Sequence, residues 1–155
     1  MRILLLLLWV ALLPGCATTT TKPFVDPPPA PAGMATLVAF REAGVYGSFT
    51  DRRIFINDEI VAALPTASYT YIYVRPGRLS VTWHVFDDPS PATRNAPAEV
   101  TARAGETYFF KTGVNTFSVW VPGSGAGIAA KNAWGFVEPT AAREELARYT
   151  FVARK

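Results

Sequence analysis

From residue 34 onward, apolar side chains recur mostly at every second position, the repeat of strands with one buried face. Residues 35–41 open the series. Residues 53–56 and 60–64 flank Asn57-Asp58-Glu59, a composition suited to a tight hairpin turn. Residues 69–75 and 79–86 flank Pro76-Gly77, where proline presets φ and glycine accepts the positive φ of a type II turn. Residues 99–103 and 107–112 flank Ala104-Gly105-Glu106, and residues 117–121 and 134–138 flank a glycine-rich connection. Helical spacing is confined to residues 140–148, with Thr140 as the expected N-cap and Glu144, Glu145 and Arg148 on the wet face. Residues 149–153 read as a last strand. Short strands with turns every eight to twelve residues predict an all-β fold, an antiparallel β-sandwich of about seven to nine strands with one short C-terminal helix.

The first residues follow another pattern. Met1-Arg2 precedes an apolar run from Ile3 to Leu13, about eleven residues, whereas a bilayer-spanning helix needs roughly 20. That length suits the apolar core of a secretory signal. Leu13-Pro14-Gly15-Cys16 closes the run, and this tetrapeptide resembles the lipobox of bacterial lipoproteins. The resemblance implies cleavage before Cys16, acylation of its thiol with two or three chains, and durable anchoring, since one chain alone holds a protein only marginally. An ordinary secretory signal cut after Ala17 is the competing reading. Cys16 is the only cysteine, so it has no partner for an internal disulfide and builds no cysteine metal site. Ala17 and Thr18 follow it, with no acidic residue there, which by the same resemblance favours the outer membrane, facing the periplasm.

Residues 17–33 read ATTTTKPFVDPPPAPAG. Prolines 23, 27, 28, 29 and 31 remove amide donors and fix φ, so an extended, mobile tether is expected, with a proline-rich ligand for a partner groove as the alternative. The chain therefore divides into a signal (1–15), a lipidated cysteine with its proline-rich tether (16–33) and one sandwich domain (34–155), a usual size for a single core. The net charge of +3 falls to +2 once Arg2 is removed with the signal. Such a weak, scattered charge argues against nucleic acid as a partner.

The stretch from Asp51 to Leu64, then Tyr69, Val74-Arg75-Pro76-Gly77 and Ala104-Gly105-Glu106-Thr107-Tyr108-Phe109-Phe110, resembles a family of small bacterial envelope lipoproteins that share a domain without an assigned function. The likeness covers roughly residues 35–152 and extends to PEGA-like and carboxypeptidase-regulatory-like sandwiches. It implies an accessory module at the cell surface with an unknown envelope protein partner, and it supplies no catalytic residues.

Individual residues add little chemistry. His84 is the only histidine and falls on the polar face of its strand with Ser80 and Thr82, toward solvent or the sheet rim. A hydrolase would need a cleft joining it to an acid and a hydroxyl from distant strands. Asp87-Asp88 and Glu144-Glu145 are adjacent acids whose side chains diverge on a strand or a helix. Gly123-Ser124-Gly125-Ala126-Gly127 lacks the lysine and serine of a phosphate loop. The candidate ligand surface is Tyr69, Tyr71 and Tyr73, which alternation places on one face, where rings stack on sugars such as polysaccharide or peptidoglycan. The competing reading makes that face an inner one. Trp120 and Trp134 are candidates to extend such a patch. The expectation is thus a lipid-anchored, non-enzymatic accessory or interaction module without cofactor or metal.

Overall fold

The structure is a computed structural model that describes residues 24–44, 50–85, 95–113, 117–120, 123, 127–130 and 134–153. Cys16, Asp87-Asp88 and most of the 123–127 glycine segment lie outside these residues. The expected all-β sandwich with one short C-terminal helix is what forms. A five-stranded sheet has the order β10 (Gly135–Val137), β7 (Thr107–Thr112), β1 (Ala35–Arg41), β4 (Ser68–Val74), β11 (Thr150–Phe151), and a four-stranded sheet the order β3 (Glu59–Leu64), β2 (Arg52–Ile56), β5 (Gly77–His84), β6 (Ala98–Ala102), with a separate ribbon of β8 (Phe117–Trp120) and β9 (Gly127–Ala130).

Strand β1 (Ala35–Arg41) is the organising element, and every one of its residues is buried. It runs antiparallel to β4 (Ser68–Val74) and parallel to β7 (Thr107–Thr112). Alternation sends Ala35, Leu37 and Ala39 toward the four-stranded sheet. Val38 and Phe40 point the other way, into a second core with Phe109, Tyr149 and Leu146. A strand covered on both faces needs two partner layers, and the chain supplies both. One is the sheet of β2 (Arg52–Ile56), β3 (Glu59–Leu64), β5 (Gly77–His84) and β6 (Ala98–Ala102). The other is helix α1 (Pro139–Leu146), which buries Ala142 and Leu146.

The chain crosses repeatedly between sheets, and this changes the meaning of two turns. Pro76-Gly77 and Ala104-Gly105-Glu106 join strands of different sheets, β4 to β5 and β6 to β7, so both are corners rather than hairpins. Gly77 and Gly105 still supply positive φ, +130° and +80°, as the sharp change of direction requires. The β2–β3 hairpin is as expected: Asn57 and Asp58 take φ of +50° and +69°, the left-handed pair that a two-residue I′-type loop demands. The five-stranded sheet is mixed, because β7 and β11 (Thr150–Phe151) each lie parallel to a neighbour. β8 (Phe117–Trp120) pairs with β9 (Gly127–Ala130), a strand inside the glycine-rich connection that the sequence pattern does not mark. β10 (Gly135–Val137) pairs instead with β7. Glu138, not Thr140, caps α1: its Oε2 accepts from the Ala141 N–H at 2.9 Å, and Pro139 takes the first helical turn, where its missing N–H costs nothing.

Residues 24–33 form no helix or strand, as their prolines require, yet they do not extend free of the domain. Phe24 packs edge-on against Tyr69 at 5.1 Å, the Tyr73 hydroxyl donates to Pro28 O at 3.1 Å, and Asp26 pairs with Arg143 of α1 at 2.9 Å. The segment is a strap over the outer face of the five-stranded sheet.

The double burial of β1 predicts where stability concentrates. Phe40→Ala is expected to cost about 3–5 kcal/mol, measured as a shift of the urea midpoint at unchanged slope. Val25→Ala in the strap, where the side chain is 73% exposed, should leave the midpoint in place.

Candidate functional site

The tyrosine row shares one face, as alternation dictates, but that face is occupied. It points away from the four-stranded sheet, toward α1 and the strap. Tyr69 is 7% exposed, and Tyr71 and Tyr73 are half-buried. Phe151 of β11 stacks on Tyr71 at 5.6 Å and tilts against Tyr69 at 5.5 Å. Three open rings for sugar stacking are therefore not present, because strap and β11 cover the aromatic surface that the strand creates. Trp134 does not extend this row. It lies edge-on to Trp83 at 6.0 Å beside the inter-sheet core and donates from Nε1 to Ala96 O at 2.7 Å.

His84 also departs from expectation: it is 7% exposed rather than at a wet rim. Thr82 and Phe55, opposite each other in the β2–β5 ladder, are buried on the same outer face. Thr82 Oγ1 donates to Asn95 O, and Asn95 Nδ2 returns to Trp83 O, so chain following β5 folds back over this face.

Sequence reasoning missed a charge cluster at the end of β1. Arg41, Glu42, Arg52 and Lys111 are all less than 9% exposed, and Arg41 is the bulkiest fully buried side chain among the described residues. Lys111 Nζ lies 2.9 Å from Glu145 and 3.9 Å from Glu42. Glu145 also accepts the Tyr149 hydroxyl at 2.5 Å. Gly113 makes room for the Glu42 carboxylate, since a Cβ there would come within 2.9 Å of Oε2. Arg41 Nη1 donates to Thr50 O and Leu64 O, at 2.5 and 3.0 Å. Arg52 donates to Thr112 Oγ1 at 3.2 Å and sits over the Trp83 ring at 4.4 Å. Burial pushes Arg52 down to about 10, and the charge of Arg41 adds to the effect. Arg41 is lowered by burial too, opposed by Asp51 and Glu42. The available signal was positional: Arg41 and Lys111 continue the alternation of strands whose preceding residues are core, and a strand buried on both faces has no wet side for them.

Beside this cluster a cleft of about 540 Å³ opens between the β3 edge and the end of β11. Ile60, Val61, Ala62 and Ala63 form one wall, Val152 and Ala153 another, and Asp51, Arg53 and Thr70 supply the polar groups. Thr70 is 2% exposed and its Oγ1 has no hydrogen-bond partner. A buried orphan hydroxyl of this kind costs about 1–3 kcal/mol unless something satisfies it. The cleft lining does not include His84, so the histidine, an acid and a hydroxyl are not brought together there. Among the described residues no group of three His, Cys, Asp or Glu side chains is placed to hold a metal ion. Comparison with known protein families, with curated proteins and with solved structures finds no match.

The Tyr149–Glu145 contact carries a pH prediction. Burial, reinforced by the Glu145 hydrogen bond, holds the Tyr149 phenol above its ordinary value. A raised folded-state value means that the contribution is whole below pH of about 10 and is lost as pH rises further, because the unfolded chain releases its proton first. The alkaline fall in unfolding free energy should be shallower in Tyr149→Phe than in the wild type, by about 0.7 kcal/mol per pH unit near pH 10 and approaching about 1.4 above pH 11, read from urea melts at stepped pH.

Proposed function

We propose that this chain is a lipid-anchored module of the bacterial envelope that works by binding a partner, with no reaction of its own, and that the open side of its sandwich carries the contact. The observation that carries this reading is the β3 edge. It is six residues long and uncharged from Ile60 to Leu64, and Ile60 is 46% exposed. Among the described residues, no strand pairs with it on the side away from β2. Exposed edges are ordinarily blunted by charge or brevity. The other outer strands follow that practice: β6 carries Glu99 in an ion pair with Arg78 at 2.6 Å, β11 has two residues and β10 three. A long apolar edge next to a cleft is a surface built to receive another chain.

The anchor in this reading is Cys16, in its lipobox-like setting, with outer-membrane residence following from Ala17-Thr18. The described strap residues 24–33 support it, since Phe24 packs on Tyr69, on the face of the five-stranded sheet that points away from the four-stranded sheet. Two measurements test the parts separately. Cys16→Ala should move the protein from the membrane pellet to the soluble fraction, and persistence in the pellet of a normally processed mutant would refute the anchor. A photo-crosslinking residue at position 60 should yield a discrete adduct in intact envelopes while one at exposed position 25 does not. Equal labelling from both sites would refute the surface.

A further inference from the structure

The strap is docked on the domain without being built into it. None of residues 24–33 is buried, and Pro27, Pro28, Pro29 and Pro31 have no N–H to give to a ladder. It is held by the Phe24 ring on Tyr69, the Val25 main chain at the Tyr69 phenol, the Tyr73 hydroxyl on Pro28 O and the Asp26–Arg143 pair. That ion pair is exposed on both partners, so salt screens it. The course of the strap follows from strand register. β1 and β4 pair Ala35 with Val74 and Phe40 with Tyr69, so these two pairs mark opposite ends of the strands. The turn at residues 31–34, closed by the Met34 N–H on Pro31 O at 2.9 Å with Gly33 at φ +77°, reverses the chain at the Ala35 end. Pro28 then lies at Tyr73 and Phe24 at Tyr69, equal steps along strap and strand. The similar rises of polyproline and strand, about 3.1 and about 3.3 Å per residue, allow that match. A docked strap therefore delivers the N-terminal segment to the Phe40 end of the sheet, whereas a released one lets it leave from the Ala35 end.

Resting on the Cys16 anchor proposed above, we propose that the strap is a two-position clasp that sets how far the domain stands from its lipid and which end the tether leaves from. Docked, Phe24 is eight residue steps from Cys16, so the Phe40 end is held within about 29 Å of the acylated residue. Released, the ten steps from Phe24 to Met34 join the tether and add about 31 Å. The prolines keep the released segment extended, so reach is gained rather than lost to coiling. A partner beyond the docked reach binds the released form alone and draws the strap off, whereas one close to the lipid leaves it in place.

The test uses the full-length acylated protein. In detergent, chymotrypsin cleavage after Phe24, identified by mass spectrometry of the product that begins at Val25, reports the released population when reclosing outpaces cleavage. Each rate is referred to a peptide of residues 20–30 bearing the same change. Wild type should be cut at least about tenfold more slowly than its peptide. Arg143→Gln and Tyr73→Phe should each raise the rate about threefold, and together about tenfold. Asp26→Asn should add nothing to Arg143→Gln, a coupling that a merely weakened helix would not produce. In phosphatidylethanolamine–phosphatidylglycerol vesicles with an acceptor dye on the headgroups, donor dyes carried on Thr150→Cys and on Arg75→Cys read the orientation. Thr150 is exposed and pairs with Ser68 at the Phe40 end, and Arg75 is exposed beside Val74 at the Ala35 end. Energy transfer should be stronger from position 150 than from 75, and at 150 it should fall at least about twofold in the Arg143→Gln/Tyr73→Phe background. Wild type cut as fast as its peptide, no gain of cleavage in the double variant, or transfer unchanged by the strap variants would each overturn the proposal. Failure of the protein to enter vesicles would refute the anchor and the clasp's role with it, while the cleavage arm, which needs no membrane, still shows whether the strap opens.

Discussion

Strand β1 has no side to give to water. Its seven residues are all buried, hydrogen-bonded on both edges and packed on both faces. A strand so placed forces a third layer onto what would otherwise be a two-sheet sandwich, whose outer faces are normally wet. Helix α1, Tyr149 and the strap are that layer. Their apolar contacts with Val38, Phe40 and Phe109 form a core separate from the one between the sheets. The short helix owes its stability to this docking more than to its own propensity, since eight residues are too few to persist alone.

The same constraint explains the charges. The chain must leave the end of β1 and cross to the other sheet, and the residues there are Arg41 and Glu42. With no wet face available, their charges are met internally, by main-chain oxygens for Arg41 and by the Lys111–Glu42–Glu145 group around the adjoining end of β7. Burying ions costs several kcal/mol apiece and is recovered only through close partners. The cluster is better understood as a requirement of the topology, fixing where β1, β7 and α1 meet, than as a store of stability.

Strand lengths leave one side of the sandwich open among the described residues. Strand β11 contributes two residues to the edge of the five-stranded sheet, so β3 of the other sheet is left without a covering neighbour beyond them. The cleft is the gap between a long edge and a short one. The strap of residues 24–33 lies over the opposite face of the five-stranded sheet.

Local chemistry was enough to find most strands. Residues 35–41 and 107–112 coincide with β1 and β7, because alternation and turn residues act over a few neighbours. Asn57-Asp58 identified its hairpin for the same reason, and the sole cysteine behind an apolar run defined the expected anchor. Pairing was not local. Pro76-Gly77 looks the same whether it closes a hairpin or turns a corner, and β9 was hidden by glycines whose partner, β8, is decided across a loop. Alternation grouped Tyr69, Tyr71 and Tyr73 correctly but said nothing of what lies over them. That cover comes from Phe24 and Phe151, distant in sequence on either side. Arg41, Lys111 and His84 were ordinary polar residues until neighbouring layers closed over them. Periodicity reports which way a side chain points, and only the meeting of distant segments decides whether it points into water.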